Sequence, residues 1–382
     1  MSGSGVILSV GMSTPLGLDA RQSSLVLRAR KMAPTKTAFR DRHGFAIGDV
    51  RARRLDDALV GPGRLLALAA PALREALSGV PPTEAPLFLA VPERRSEAEA
   101  PLGPTFLSDL ADRAGAGAGA GAGAAAGVGA GTSTGAGAST GVRIALDRSE
   151  AIAIGHAGFA VALSRAIASV NERAAAILAR RSGSARGAPA PGHREPVAIA
   201  IAGGVDSHHD PAVLAALDEE RRLHGSGTRD GFIPSEGAAF VVVTAHETKL
   251  SYARVTGVAT GMEREDGAED PPIGEAATEV TRAAAGALAE PIPWVICDVN
   301  GEHHRVKEWT FVRIRNRALF DDDHTVETRP YDELGDVGAA SGAVFAVHAC
   351  VAFRMGFAPA QRALVALRSE GGARGAFLLE AR

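Results

Sequence analysis

Imidazole and carboxylate side chains cluster in one short stretch, Glu302-His303-His304, directly after an apolar run at residues 294–299. Such side chains at the end of a strand can serve as general acids, general bases or metal ligands. No His-x-x-x-His or Cys-x-x-Cys spacing accompanies them, so the sequence predicts no metal site. Adjacent histidines are also typical of a solvated loop, and this alternative stays open.

The two cysteines, Cys297 and Cys350, are the other candidate nucleophiles. Cys297 lies inside an apolar strand pattern, and Cys350 lies inside an apolar helical stretch. Buried free cysteine behaves as a small hydrophobic side chain, so we expect both residues to be structural. Two cysteines are too few for a disulfide scaffold, which predicts the reducing environment of the cytoplasm.

Two further carboxylates stand in glycine-rich segments. Glu236 precedes Gly237 amid apolar strand segments, and Asp206 follows a Gly-Gly pair. A carboxylate in such surroundings needs a buried partner or backbone donors. We interpret both residues as structural carboxylates that tie loops together.

The composition is that of a globular chain and excludes several classes of protein. The 382 residues are 46% hydrophobic and 22% charged, which excludes general disorder and allows one large core or two modest ones. A net charge of −3 gives no electrostatic reason to expect nucleic acid or an anionic membrane as partner. Residues 1–20 lack a signal-peptide pattern, and the apolar stretch 338–352 is short for a membrane span.

Strand patterns alternate with helical patterns along the chain, which predicts an α/β fold. The predicted strands are residues 6–10, 87–91, 196–202, 240–244, 253–260, 294–299, 363–367 and 375–380. The predicted helices are residues 61–77, 158–180, 211–223, 276–288 and 339–353.

Residues 114–141 interrupt this pattern, because they are almost wholly Gly, Ala, Ser and Thr. Side chains this small bury too little area to offset the entropy of ordering them. We therefore predict a low-complexity insertion, with a silk-like packed strand as the alternative. A polar stretch at residues 182–195 is predicted to be a loop between a helix and a strand.

Four segments, taken in order from residue 6 to residue 380, resemble the beta-ketoacyl synthases of the thiolase superfamily. The segments are VILSVGMSTPLG, then AIAGGVDS paired with DGFIPSEGAAFVVV, then GDVGAASGAVFAVHA, and finally SEGGARGAFLLEA. They are similar to the family's first strand, its paired glycine-rich segments, its buried glycine–alanine helix and its closing hairpin.

The resemblance implies a thiolase-like, five-layered α-β-α-β-α fold of two related halves, here residues 1–249 and 250–382. It implies a dimer, with itself or with a ketosynthase, through the strand region 144–154. The implied partner is an acyl carrier protein or an acyl-CoA thioester, and no cofactor is expected. In this family a cysteine at the N-terminus of a buried helix works with two histidines from the second half.

The chain departs from that pattern at the chemical positions. His156 stands where the resemblance places the cysteine, and Glu302, followed by His303, stands at the first histidine. Gly335 falls on the second histidine, with Asp336 beside it. We therefore expect His156, Glu302, His303 and Asp336 to supply base and electrostatic roles. A helix N-terminus disfavours protonation, so His156 is expected to be a neutral base or a structural replacement for the cysteine.

Three functions remain open. The first is an acyltransferase or hydrolase that uses an altered acyl pocket. The second is a non-catalytic subunit related to the chain-length factors that pair with intact ketosynthases. The third is an acyl-ligand-binding protein. Loss of the cysteine and both histidines, together with Glu370 at the place of a gating phenylalanine, argues against ordinary condensation.

Overall fold

The computed structural model describes residues 4–30, 34–94, 101–117, 140–183, 197–225, 228–263, 274–288 and 290–382. Most of the predicted Gly/Ala insertion at 114–141 lies outside the described residues. The same is true of the predicted loop at 182–195, of which residues 182 and 183 still belong to a helix.

The described residues form an alternating series of strands and helices. The strands are β1 Gly5–Ser13, β2 Thr35–Arg40, β3 Ala46–Asp49, β4 Thr83–Ala85, β5 Leu87–Ala90, β6 Val142–Ile144, β7 Glu150–Ile152, β8 Ile199–Ser207, β9 Glu236–Thr244, β10 Ala253–Met262, β11 Trp294–Cys297, β12 Val326–Thr328, β13 Arg362–Arg368 and β14 Ala373–Ala381. The α-helices are α1 Ala20–Ala29, α2 Gly61–Leu77, α3 Pro104–Ala114, α4 Gly158–Gly183, α5 Pro211–Glu219, α6 Glu275–Ala285, α7 His303–Arg315, α8 Tyr331–Leu334 and α9 Ser341–Met355.

Ten of the strands in the described residues lie in one continuous sheet in the order β12-β11-β13-β14-β10-β1-β9-β8-β5-β7. The sheet divides into two groups of five with the same arrangement. In one group β1 pairs antiparallel with β9, β9 pairs antiparallel with β8, and β8, β5 and β7 run parallel. In the other group β10, β14, β13, β11 and β12 repeat these relations in the same order. The groups join where β1 pairs antiparallel with β10. The predicted boundary between the halves, after residue 249, falls in the turn between β9 and β10.

The two faces of each group pack against different helices, because successive side chains of a strand point to opposite faces. In β9, Val241 packs into the central core with α4 and α9, whereas Phe240 packs with α2 and α3. In β13, Val365 joins the same central core, whereas Leu364 packs with α6 and α7. The layers are therefore helix, strand, helix, strand, helix, which confirms the predicted five-layered α-β-α-β-α fold.

Helix α9 is the apolar centre of the molecule. All of its residues from Ser341 to Ala352 are buried, as expected for a helix that packs against neighbours on every side. It ends at Gly356, whose φ of +70° suits the left-handed conformation of a helix C-terminus. Among the described residues, Gly338–Met355 is the one helical segment long and apolar enough to cross a membrane, and 83% of it is buried inside the protein.

The largest correction to the predicted elements is α7. The adjacent histidines open this helix, so the alternative of a solvated loop was wrong about the loop, although both histidines are exposed. Its buried residues are Arg305, Glu308, Trp309 and Val312, which follow helical spacing. Two of these four are charged, so the hydrophobic periodicity that marks a helix in a sequence is missing.

Strand β1 lies so close to α2 that Gly11 has no room for a side chain. A Cβ there would lie 2.1 Å from the carbonyl oxygen of Ala72 and 2.6 Å from the backbone nitrogen of Ala76. We expect Gly11→Ala to lower the free energy of unfolding by about 1–3 kcal/mol or more, because backbone atoms must move to admit the methyl group. Denaturant unfolding measures this loss.

The matched control is Gly48→Ala in β3, where the nearest atom to an added Cβ is Pro34 Cβ at 3.5 Å. This variant carries the same change in unfolded-state entropy without the clash. Equal stability of the two variants would contradict the close approach of β1 and α2.

Candidate functional site

His156 lies in a short 3₁₀ turn, Gly155–Ala157, that leads directly into α4. Gly155 has a φ of +67°, which glycine adopts readily and which reverses the chain at the end of β7. The hydroxyl of Ser369 accepts a hydrogen bond from Ala157 N at 2.8 Å and donates to the carbonyl of Ile154. Ser369 therefore fixes the turn, and His156 is held with only 7% of its surface exposed.

The imidazole of His156 meets a carboxylate from the other half of the chain. Its Nε2 lies 2.8 Å from Asp336 Oδ1, so Nε2–H donates to the carboxylate. Asp336 lies between α8 and α9 and also accepts from Gly338 N at 2.7 Å and from Asn300 Nδ2 at 2.6 Å. Asn300 follows β11, so three separate segments assemble this buried group.

Asp336 shifts the pKa of His156 in the direction opposite to the one expected from the helix N-terminus. Burial disfavours the imidazolium, but the adjacent carboxylate outweighs burial and raises the pKa of His156 above 6.5. Burial also opposes ionisation of Asp336, yet His156, with smaller effects from His208 and Arg305, holds the pKa of Asp336 well below its usual value. This direction is opposite to the one expected from the helix N-terminus, because the carboxylate of Asp336 has the stronger influence on the ring.

Glu302 is tied into a network of ion pairs beside Asp336. Asn300 Nδ2 donates to Glu302 Oε2 at 3.0 Å, and Arg222 Nε donates to Glu302 Oε1 at 2.8 Å. The buried Arg305 pairs with both Glu302 and Glu370, and Arg222 Nη2 lies 3.0 Å from Glu370 Oε1. Burial opposes ionisation of Glu370, but the two guanidinium groups lower its pKa below the ordinary value. Both carboxylates are therefore paired with arginine.

His303 does not join this group. It is exposed at the first position of α7, where its backbone N–H donates to Asp230 Oδ1 at 2.6 Å. The structure thus brings together His156, Glu302 and Asp336 from the predicted set and leaves His303 outside. The exposed His304 approaches Glu302 and Glu370, but both carboxylates are already paired with arginine, so the donor set does not fit a metal ion.

Neither thiol lines the cavity that His156 lines. Cys297 is buried in β11 and Cys350 is buried in α9, as expected from the sequence. Burial raises the pKa of both thiols above the ordinary value, and this disfavours the nucleophilic thiolate.

The two carboxylates interpreted as structural have structural contacts. Asp206 Oδ2 accepts from Ala339 N at 2.8 Å, at the start of the central helical segment. Glu236 is fully buried and pairs with the fully buried Arg64. The sequence shows that Glu236 needs a partner, but it does not show which arginine supplies it.

A cavity of about 390 Å³ opens in front of His156 and Asp336. One wall is apolar and consists of Val213, Ala216, Leu217 and Phe232. Arg222 and Glu370 line it as well. The cavity combines space for an apolar group with an imidazole backed by a carboxylate, an arrangement suited to general base chemistry.

Sequence reasoning missed Asn300, Arg222 and Arg305 in this site. Asn300 carries a signal that could have identified it, because it directly follows a buried strand and precedes Glu302. The two arginines carry no such signal, since 41 residues of the chain are lysine or arginine and nothing local sets these two apart.

No protein-family model matches the sequence, and no curated protein sequence is significantly similar to it. Solved structures do match over nearly the whole chain. One belongs to a type II polyketide synthase acyl carrier protein in complex with its ketosynthase bound to the hexaketide, at 14% identity, a TM-score of 0.67 and coverage of 100% of both chains. Another is an oxazolomycin ketosynthase domain of Streptomyces albus, at 13% identity and a TM-score of 0.64, covering 100% of this chain and 75% of that one. A third is the ishigamide ketosynthase/chain length factor, at 16% identity, a TM-score of 0.62 and 99% coverage of both chains. The protein described here has the fold of the ketosynthases.

Proposed function

We propose that this chain is a cytoplasmic, ketosynthase-like subunit of fatty acid or polyketide biosynthesis that does not condense acyl groups and that pairs with an intact ketosynthase. One observation carries the proposal. The imidazole of His156, bonded to Asp336, stands at the start of a buried helix where the resemblance places the nucleophilic cysteine. Condensation of this kind needs a thiolate to carry the acyl group, and both thiols of the chain are buried elsewhere.

The groups around His156 support the same conclusion. The resemblance assigns oxyanion and carbanion stabilisation to two histidines from the second half. Here Asn300, Glu302 and Asp336 come from that half, and the two carboxylates accept hydrogen bonds from Arg222 and Asn300. An ionised carboxylate only accepts hydrogen bonds, so it cannot donate one to the oxyanion or carbanion as the histidines of the family do. This site therefore does not provide the charge pattern of a condensing enzyme.

The edge of the sheet supports pairing with another subunit. Within the described residues, β7 pairs with β5 on one side and with no strand on the other. An exposed strand edge is a template for another chain. We propose that β7 pairs across a two-fold axis with the matching strand of a ketosynthase, and that the pair receives an acyl carrier protein. Two of the similar structures, a ketosynthase with its carrier protein and a ketosynthase/chain length factor, support these partners.

The test of the site is acyl capture by His156→Cys. Wild type and variant are incubated with octanoyl-CoA and examined by intact-mass spectrometry. We expect no stable adduct on wild type, and an octanoyl adduct on the variant, because a helix N-terminus lowers the pKa of a thiol placed there. His246→Cys, which places a thiol in the exposed turn after β9, is the matched control and should react more slowly.

Two results would contradict the proposal. One is a stable adduct of the wild type mapped to Cys297 or Cys350. The other is a ketoacyl product formed by the wild type alone from octanoyl-CoA and malonyl-loaded carrier protein. For the pairing, light scattering of an equimolar mixture with a type II ketosynthase should show a dimer, and a monomer at micromolar concentration would exclude it.

A further inference from the structure

We infer that His156 is the general base of a thioester hydrolysis in the cavity beside it, with Asp336 and Asn300 as positioning residues. The inference rests on the proposed function for the thioester class of the substrate. It adds a reaction, the release of a carboxylic acid and a thiol, that needs no nucleophilic cysteine.

The tautomer of His156 is the first step of the argument. Asp336 is ionised and accepts at 2.8 Å, so the imidazole keeps its hydrogen on Nε2. In the neutral ring the lone pair then lies on Nδ1. Among the described residues Nδ1 has no hydrogen-bond partner, and His156 lines the cavity. A base with one nitrogen fixed by a carboxylate and the other without a partner is suited to remove a proton from water.

The rigidity of Asp336 is the second step. Its two oxygens accept from three donors, His156 Nε2, Gly338 N and Asn300 Nδ2, at 2.6–2.8 Å. Asn300 is itself held, because the same amide nitrogen donates to Glu302 and its Oδ1 accepts from Glu302 N at 3.2 Å. The carboxylate therefore cannot turn away, and the imidazole keeps its orientation without a bound ligand.

The cavity wall is the third step. Val213, Ala216, Leu217 and Phe232 line the same cavity as His156 and Asp336 and give it an apolar surface. An acyl chain gains free energy by leaving water for such a surface. The acyl carbonyl can then lie between that wall and the imidazole, within the volume of about 390 Å³.

The reaction balances without a cofactor. Nδ1 takes one proton from water while the water oxygen forms a bond to the carbonyl carbon of the thioester. The tetrahedral intermediate then collapses, the carbon–sulfur bond breaks with its electron pair on sulfur, and the thiolate receives the proton from Nδ1. One water is consumed, and a carboxylic acid and a thiol are released.

The pH dependence follows from the charges that face His156. Asp298, Asp336 and Glu370 favour the imidazolium, and Arg305 opposes it. The remaining charged or titratable groups that share the cavity are Glu93, Arg94, Asp206, His208, Glu220 and Arg222. Because the base must be neutral, hydrolysis should rise with pH through the raised pKa of His156 and then level off.

The experiment measures thiol release from acetyl-CoA and octanoyl-CoA by the full chain between pH 5.5 and 9. We expect His156→Gln to lose on the order of 100-fold or more, which is the usual contribution of a general base. Asp336→Asn should lose at least about tenfold and move the rise in rate to lower pH, because the carboxylate that raises the pKa of His156 is gone. His246→Gln is the matched control and should match wild type. Circular dichroism melting shows whether each variant is folded.

Each outcome decides the inference. The inference is supported if wild type releases thiol, if this release falls in both His156→Gln and Asp336→Asn, and if the pH profile of Asp336→Asn is shifted to lower pH. Release no greater than that of His156→Gln, or an unshifted profile in a folded Asp336→Asn, overturns it. If Asp336→Asn does not fold, Asn300→Ala takes its place, and an unchanged rate and profile in that variant overturn the positioning role. These readouts are independent of the proposed function, which fails on formation of a carbon–carbon bond rather than on thiol release.

Discussion

Replacing Glu236 with alanine should lower the free energy of unfolding by about 3–5 kcal/mol, which is the usual cost of removing one partner of a buried ion pair. Glu236 and Arg64 have no exposed side-chain surface, and their atoms meet at 2.5 Å and 2.8 Å. Ala52 N and Ser207 Oγ also donate to this carboxylate, each at 2.7 Å. The alanine variant leaves the guanidinium buried without its counter-charge. Denaturant unfolding at pH 7 measures the loss.

The control is Glu247→Ala, which breaks the ion pair with the exposed Arg254 and should cost no more than about 1 kcal/mol. A second test is the double variant Arg64→Met with Glu236→Leu. It should be more stable than Glu236→Ala, because it removes both buried charges. A loss below about 1 kcal/mol for Glu236→Ala would contradict the buried pair.

Acidification should destabilise the protein through His348, in the middle of α9. Burial lowers the pKa of His348 from 6.5 to about 4. Its ring packs against Trp294 and Phe357, and among the described residues its Nδ1 has no hydrogen-bond partner. The unfolded chain takes up a proton as pH falls through 6.5, whereas the folded chain stays neutral there until about pH 4. His348 therefore lowers the free energy of unfolding as the pH falls from 6.5 to about 4, by up to about 3 kcal/mol.

The measurement compares the free energy of unfolding of wild type and His348→Leu at pH 7.5 and at pH 5. Above pH 6.5 the ring of His348 is neutral in both the folded and the unfolded wild-type protein, so His348 adds no pH dependence to the free energy of unfolding there. His156 acts in the opposite sense, since its raised pKa adds stability as pH falls. We expect His348→Leu to lose less stability than wild type between the two pH values. An identical loss in the two proteins would show that His348 is not held neutral.

The fold was predictable from the sequence because its core elements are apolar and periodic. The predicted helix at residues 61–77 coincides with α2, and the predicted closing strands coincide with β13 and β14 to within two residues. Helix α7 was missed because Arg305 and Glu308 occupy its buried face. Their charges are balanced by partners such as Glu370 and Arg374, which are distant in sequence.

The site was predictable only in part. The small-residue pattern before α4 led to His156, and the glycine–alanine segment before α9 led to Asp336. Their contact was not predicted, because a pairing between residues 180 positions apart leaves no periodic trace in one sequence. The same holds for the raised pKa of His156, since a pKa depends on every charge and dipole near the ring.

The central position of β1 has a consequence for synthesis of the chain. Its neighbours in the sheet are β9 and β10, and about 220 residues separate β1 from β9. At about 5–20 residues per second, β1 waits on the order of 10–40 s on the ribosome before its first partner emerges. During that time an apolar strand has both edges open to other chains. We expect the nascent chain to depend on chaperone binding to its first segment, and the yield of native protein to fall when such chaperones are depleted.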